Sequence, residues 1–372
     1  MTEIETLLRD DLRGKKPYGA PQLTVEVALN TNENSYPLPA EVAELIESRL
    51  CEVVRGLNRY PDRDAVDLRT ELASYLGHGL TREHVWAANG SNEILQQLLQ
   101  AFGGPTRRAV GFGPSYSMHP IITSTTGTEW IDGHRLEDFT LNPAHVSATI
   151  RQHDPDIVFL CSPNNPTGTA LDADVIAAAV TASRGLVIVD EAYAEFARDP
   201  ANTAVRLIEN HPRLVVTRTM SKAFGLAGAR VGYLAAHPDV VAALLLVRLP
   251  YHLSSLTQAA ALGALAGTKQ LLATVDDIRA QRDRIVAQLR ERGLPVADSD
   301  ANFVFFGGMV DASAVWQALL DQGVLIRDVG IAGWLRVTAG TEAEVTAFLA
   351  AVTAVQRQRS ELFTQQNPEE AS

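Results

Sequence analysis

The chain has 372 residues, 46% of them hydrophobic and 20% charged, with a formal net charge of −12. This is a folded composition, not a disordered one, and it is long enough for a main domain and a lesser one, because single cores stop growing at roughly 250 to 300 residues. The negative charge, with no dense Lys/Arg run to offset it locally, argues against nucleic acid or an anionic lipid surface as partner.

The first twenty residues, MTEIETLLRDDLRGKKPYGA, are too charged for a signal peptide. The best apolar run, 240–247, stops at Arg248 and is too short to span a bilayer. A cytoplasmic protein with no membrane partner is expected. Cys51, in a helical pattern, and Cys161, at a strand end, fit no metal spacing or disulfide framework and read as small core residues. The nine histidines form no HExxH or Cys/His cluster, so no metal is expected.

In chain order, an N-terminal arm (1–29) precedes a large domain (30–255). From about residue 85, short β-branched runs alternate with helical stretches, the signature of a mostly parallel sheet. At 89–93, Asn-Gly-Ser-Asn-Glu opens a helix whose Ile94, Leu95, Leu98, Leu99 and Phe102 trace one face. Strands follow at 109–113 and 157–161, the latter running into the rigid loop Ser-Pro-Asn-Asn-Pro-Thr-Gly at 162–168. Helical crossovers at 172–183 and 203–210 flank a strand at 186–190, and a strand at 214–217 leads to Arg218-Thr219-Met220-Ser221-Lys222. Beyond 255 the pattern becomes that of a smaller C-terminal α+β domain (256–358). It comprises a long amphipathic stretch at 270–290, a strand at 302–306, a helix at 312–322 and strands at 324–329 and 334–338. A last helix opens with the capping-box spacing Thr341 to Glu344. The tail from about Gln356 is polar and reads as frayed, with 359–372 lying beyond the smaller domain. The fold class is therefore α/β, a large domain with a mostly parallel sheet flanked by helices plus the smaller α+β domain.

Right-handed crossovers bring the carboxyl ends of parallel strands to one edge, where ligands bind in open α/β sheets. Three successive strands thus deliver Asn165, Asp190 and Lys222 together. Taken alone, Asp190 serves equally as a turn or helix-capping residue. Lys222 is one of only four lysines, beside 28 arginines. With the apolar Ala223, Phe224 and Leu226 after it, it can lose solvation, which lowers its pKa and frees its amine for attack on carbonyls. Pyridoxal phosphate (PLP) needs such a lysine, an Asp at its pyridine nitrogen and a phosphate site. The helix start at Ser91 is an anion site of a common kind, to which Thr219, Ser221 and Arg230 add hydroxyls and a charge.

These residues resemble the fold-type I PLP-dependent aminotransferases, and within them the histidinol-phosphate aminotransferases. The likeness covers nearly the whole chain and rests on NTNENSYPLP (30–39), NRYPDRDAVDLR (58–69), NGSNEIL (89–95), PSYSMHP (114–120) and SPNNPTG (162–168). It continues through VIVDEAYAEF (187–196), TMSKAFGLAGARVGY (219–233), GVLIRDV (323–329) and LRVTAG (335–340). It implies that Lys222 carries the cofactor and shuttles the proton, that Asp190 pairs with the ring nitrogen, and that Tyr193 and Asn165 bond the ring oxygen. It further implies that Tyr116 stacks on the ring and that Ser91, Asn92, Thr219, Ser221 and Arg230 hold the phosphate. Tyr60 would reach in from the second subunit of a homodimer, and Arg336, Arg327 and Tyr18 would line the substrate pocket. The implied reaction is transamination between L-histidinol phosphate and 2-oxoglutarate, giving imidazole acetol phosphate and glutamate, in histidine biosynthesis. An aromatic amino-acid aminotransferase shares the machinery, as does a decarboxylase of amino-acid phosphates. A non-catalytic PLP-binding sensor module would need an added DNA-binding domain, and a penicillin-binding hydrolase would need S-D-N and K-T-G motifs that the chain lacks. One departure stands out: His119 occupies a position where many relatives carry a second aromatic hydroxyl.

Overall fold

The computed structural model describes residues 3–364. Its twelve strands are β1 (Val27–Ala28), β2 (Val85–Ala88), β3 (Arg108–Gly111), β4 (Glu129–Asp132), β5 (Ile157–Cys161), β6 (Leu186–Asp190), β7 (Leu214–Thr219), β8 (Gly232–Ala236), β9 (Phe303–Phe306), β10 (Val324–Leu325), β11 (Arg327–Asp328) and β12 (Leu335–Thr338). Seven of them make one sheet in the order β2-β8-β7-β6-β5-β3-β4. The runs of β5 and β6 are buried at every position, as strands covered on both faces by helices must be. Parallel pairing runs from β4 through β3, β5 and β6 to β7, while β8 is antiparallel to both its neighbours. Among the described residues no helix is long and apolar enough to cross a membrane, and no His/Cys/Asp/Glu group could hold a metal ion.

The later part of the chain builds an antiparallel sheet, β11-β12-β9, against the long helix Thr268–Glu291. The apolar run expected as one strand at 324–329 divides at the buried Ile326: β10 pairs in parallel with β1 of the arm, and β11 pairs with β12. The arm's end is thereby tied to the smaller sheet, with Leu29 donating to the Leu325 carbonyl and accepting from Thr338. The last helix, Glu342–Gln358, has its capping box: Thr341 N donates to Glu344 Oε2 at 2.7 Å, and Glu344 N donates back to Thr341 Oγ1 at 3.4 Å.

The helical segment at 203–210 takes the form of a 3-10 helix, Ala204–Asn210. Two expectations need correcting. Cys51 lies on the exposed side of the helix Ala40–Val54 and is not a core residue, whereas Cys161 is buried. The chain does not fray at Gln356. Helix continues to Gln358, and the turn Ser360–Leu362 docks Leu362 into the core, with Phe363 bridging Met309. The rest of the expected polar tail, 365–372, lies outside the described residues.

Candidate active site

Strands β5, β6 and β7 end side by side, and the loop after each of them enters one cavity of about 180 Å³. Asp190, Asn165 and Lys222 all line it, as do Tyr193 and Tyr116. Asp190 is 1% exposed, and both its oxygens are occupied: Thr217 Oγ1 donates to Oδ1 at 3.1 Å, and His119 Nε2 lies 3.0 Å from Oδ2. An ionised carboxylate only accepts, so a ring nitrogen placed against it must carry a proton. His119 is held flat against Phe159, with ring centroids 4.8 Å apart, and edge-on to Tyr116. The histidine that departs from the family pattern is therefore the partner of the central acid. Neither His119 nor Thr217 was singled out for that role from sequence, although Thr217 sits directly across from Asp190 in the ladder.

Among the described residues, no carboxylate pairs with the Lys222 amine. Nζ donates to the main-chain carbonyl of Thr31 at 3.0 Å. Burial, reinforced by the positive charges of Arg336 and Arg230 and opposed by Glu33, lowers its pKa from 10.5 to about 8. This is the environment that turns a lysine into a nucleophile or proton carrier near neutral pH.

Behind it, the helix Ser91–Phe102 starts at Gly90 without a side-chain cap, so its first N–H groups have no acceptor within the helix. Ser91 and Asn92 line the cavity together with Thr219, Ser221 and Arg230. Thr219 Oγ1 donates to Ser221 Oγ at 3.0 Å, and Arg230 Nη1 lies 3.5 Å from the same oxygen. The backbone here is stripped of side chains by necessity. A Cβ on Gly90, whose φ is +86°, would sit 2.8 Å from Arg230 Nη2, and one on Gly232 would collide with the main chain at Gly90 and Ser91.

The opposite wall comes from the smaller sheet and the arm. Arg336 is 6% exposed. It donates from Nη1 to Asn165 Oδ1 at 2.6 Å and from Nη2 to the Asn30 carbonyl at 2.7 Å, while its buried Nε has no partner among the described residues. Burial and Arg327 lower its pKa to about 10, against the opposing pull of Tyr193. Arg327 lines the cavity 6.0 Å from the Tyr18 ring centroid, so the arm and β11 close on each other. Tyr60 alone among the expected site residues stays outside this cavity. It is 80% exposed, with its ring stacked on Tyr251 at 4.5 Å. Asn30, Thr31 and Asn32 also belong to the lining and were not assigned from sequence.

The sequence model of the class I and II aminotransferases matches residues 24–352. The chain belongs to that family. Among its aminotransferase relatives, the histidinol-phosphate aminotransferase of Frankia casuarinae is 62% identical over 353 residues, spanning 93% of this chain and 89% of that protein. The enzyme of the same name from Thermobifida fusca is 59% identical over 345 residues, spanning 93% and 94%. Of solved structures, the histidinol-phosphate aminotransferase of Sinorhizobium meliloti in complex with pyridoxal-5'-phosphate superposes with a TM-score of 0.81 at 25% identity, covering 90% of this chain and 92% of that one. That of Clostridium acetobutylicum gives 0.80 at 23% identity, with 89% and 99% covered, a likeness of fold.

Proposed function

We propose that this aminotransferase transfers the amino group of L-histidinol phosphate to 2-oxoglutarate, yielding imidazole acetol phosphate and glutamate, as a PLP-dependent cytoplasmic homodimer in histidine biosynthesis. The observation that carries the reading is a half-buried lysine, its amine on a main-chain carbonyl, in the same cavity as a buried carboxylate and two arginines. Relatives at 55% to 62% identity, all named histidinol-phosphate aminotransferase, support the substrate.

The cavity suits the cofactor on its own chemistry: among the described residues its lysine amine has no carboxylate partner, its helix start is uncapped, and Gly90 leaves room for the Arg230 guanidinium beside that helix start. When bound, PLP supplies an electron sink for the pair released at the substrate Cα. Lys222 would hold it covalently and, freed, would shuttle the proton between that Cα and the cofactor's C4′. Asp190 would keep the pyridine nitrogen protonated, with His119 and Thr217 holding its carboxylate in place. Tyr193 and the amide nitrogen of Asn165 would donate to the ring oxygen, and Tyr116 would cover the ring face. Ser91, Asn92, Thr219, Ser221 and Arg230 would hold the phosphate.

Substrate recognition falls to Arg336 and Arg327, whose planar donors accept phosphate in one half-reaction and the α-carboxylate of glutamate in the other. Tyr18 would close over them. Tyr60 would complete the partner's phosphate site. Support for a dimer comes from the apolar surface around it: Val54 is 52%, Leu246 85% and Leu249 74% exposed. Arg248 joins the two segments that carry this surface, bonding the Arg63 carbonyl at 2.6 Å and Asp64 at 2.8 Å. The test is kcat/KM with 2-oxoglutarate for histidinol phosphate and for phenylalanine. Histidinol phosphate is expected to win, and a preference for phenylalanine would replace this reading with that of an aromatic aminotransferase.

A further inference from the structure

Three consecutive residues hold three different functional side chains. The Asn30 carbonyl accepts from Arg336 Nη2 at 2.7 Å and the Thr31 carbonyl from Lys222 Nζ at 3.0 Å, while Asn32 donates from Nδ2 to the Tyr193 hydroxyl at 3.0 Å. The segment comes directly after β1, so its path is fixed by the pairing of β1 with β10. It is fixed again by Asn302 Nδ2, which donates to the Asn32 carbonyl at 3.1 Å. Asn32 is 1% exposed with φ of +54°, a left-handed conformation that asparagine tolerates better than most residues.

The hydrogen bonds around Asn32 run in one direction. Thr338 Oγ1 accepts from the Asn32 backbone N–H at 3.0 Å and donates its single proton to Asn32 Oδ1 at 3.1 Å. The amide oxygen lies on the Thr338 side, and the amide nitrogen faces Tyr193. A phenol whose oxygen accepts from Asn32 has its own proton free for a different acceptor. Tyr193 lines the cavity, and its ring stands edge-on to Phe303 at 5.0 Å, which restricts rotation. Burial pushes the Tyr193 phenol up to about 12, so it remains a neutral donor at physiological pH. The nearby Arg336 and the bond from Asn32 act in the opposite sense and strengthen that donor.

The geometry points to Asn32 as a positioning residue: through a one-way chain from Thr338 to Asn32 to Tyr193, it commits the Tyr193 hydroxyl to donate into the cavity, toward the ring oxygen of the cofactor. This rests on the proposal that the cavity binds PLP. It differs from a purely structural role for Asn32, which would act on the fold whether or not residue 193 carries a hydroxyl.

A double-mutant cycle separates the two. Asn32→Asp keeps the acceptor for Thr338 and tolerates the left-handed backbone, but an ionised carboxylate cannot donate to Tyr193 and instead attracts its proton. The readout is the dissociation constant of PLP from the full-length apoprotein, by fluorescence titration. Asn32→Asp is expected to weaken binding about tenfold, the size of one neutral hydrogen bond. Tyr193→Phe should weaken it at least as much, and the double variant should be no weaker than Tyr193→Phe alone. Thr338→Val, which removes the proton that orients the amide, provides a second route should the aspartate variant fail to fold. It should weaken binding several-fold in the Tyr193 background and not in Tyr193→Phe. Multiplying effects in either cycle, or wild-type affinity in the folded single variants, would overturn the assignment. Failure of the wild-type chain to bind PLP at all would instead overturn the reading on which it rests.

Discussion

Replacing Lys222 by methionine should make the apoprotein more stable while ending covalent cofactor attachment. Lowering the lysine's pKa from 10.5 to about 8 means that the folded state holds the ammonium at a disadvantage. At 1.36 kcal/mol per unit this amounts to roughly 3 kcal/mol, an upper figure because the cavity is partly open to water. Methionine fills similar volume without charge, but it gives up the bond to the Thr31 carbonyl, worth about 1 kcal/mol. The variant should therefore gain roughly 2 kcal/mol below pH 8. The sign comes from proton binding: between pH 8 and 10.5 the unfolded lysine holds more proton than the folded one, so wild-type stability from this group rises with pH across that window. The variant lacks the rise, and the two stabilities should converge as pH increases from 8 toward 10. Guanidinium denaturation of both apoproteins from pH 6.5 to 10 measures this directly, and borohydride reduction followed by mass spectrometry checks the lost attachment. A variant less stable than wild type at pH 7, or a difference that stays constant to pH 10, would refute the argument.

Other residues of the site give equally specific expectations. His119→Phe keeps the stacking on Phe159 but removes a donor from the buried Asp190 carboxylate, and should lower apoprotein stability by about 1.5 to 3 kcal/mol; an unchanged denaturation midpoint would mean that the contact contributes nothing. Arg327→Ala should erode the preference for histidinol phosphate over phenylalanine by about 1.5 to 3 kcal/mol, read as the ratio of kcat/KM values, because the phosphate dianion carries more charge and more acceptor oxygens for arginine than the single carboxylate of phenylalanine. Tyr60→Phe should release PLP faster on dialysis than wild type. A fully active monomer by sedimentation would remove the reason for expecting it.

Where the sequence spoke clearly, the interactions were local. The continuous apolar runs of β5 and β6 can only be strands buried on both faces, and a polar residue at the end of such a run has to emerge at the sheet edge. Asp190 and Asn165 were legible for that reason, and Lys222 because its apolar followers and the scarcity of lysine set it apart. The run at 324–329 misled because periodicity alone does not say which partner each half pairs with. Val324 and Leu325 answer to the arm, and Arg327 and Asp328 to β12. Cys51 misled because a helix offers its small residues to either face, and the burial of Val42 and Ile46 decides which face turns inward.

The polar contacts that orient the site are of another kind. Asn32 and Thr338 are 306 positions apart, Asn165 and Arg336 are 171 apart, and His119 and Asp190 are 71 apart. Each bond joins residues whose own neighbourhoods give no reason to pair them. Asn32 lies in an irregular segment after β1, Thr338 ends a strand, and His119 falls inside a short helix of mostly apolar and hydroxyl residues. A buried polar group must find a partner, so each of these residues carries a requirement that the sequence states without naming who meets it. The fold meets it by bringing the arm, the smaller sheet and the large sheet to one cavity. Once there, the bonds run one way: Thr338 donates to the Asn32 amide oxygen, and the Asn32 amide nitrogen donates to Tyr193. Chemistry at the strand ends can thus be inferred from local pattern, whereas the orientation of its donors becomes legible only when residues far apart in the chain are seen in contact.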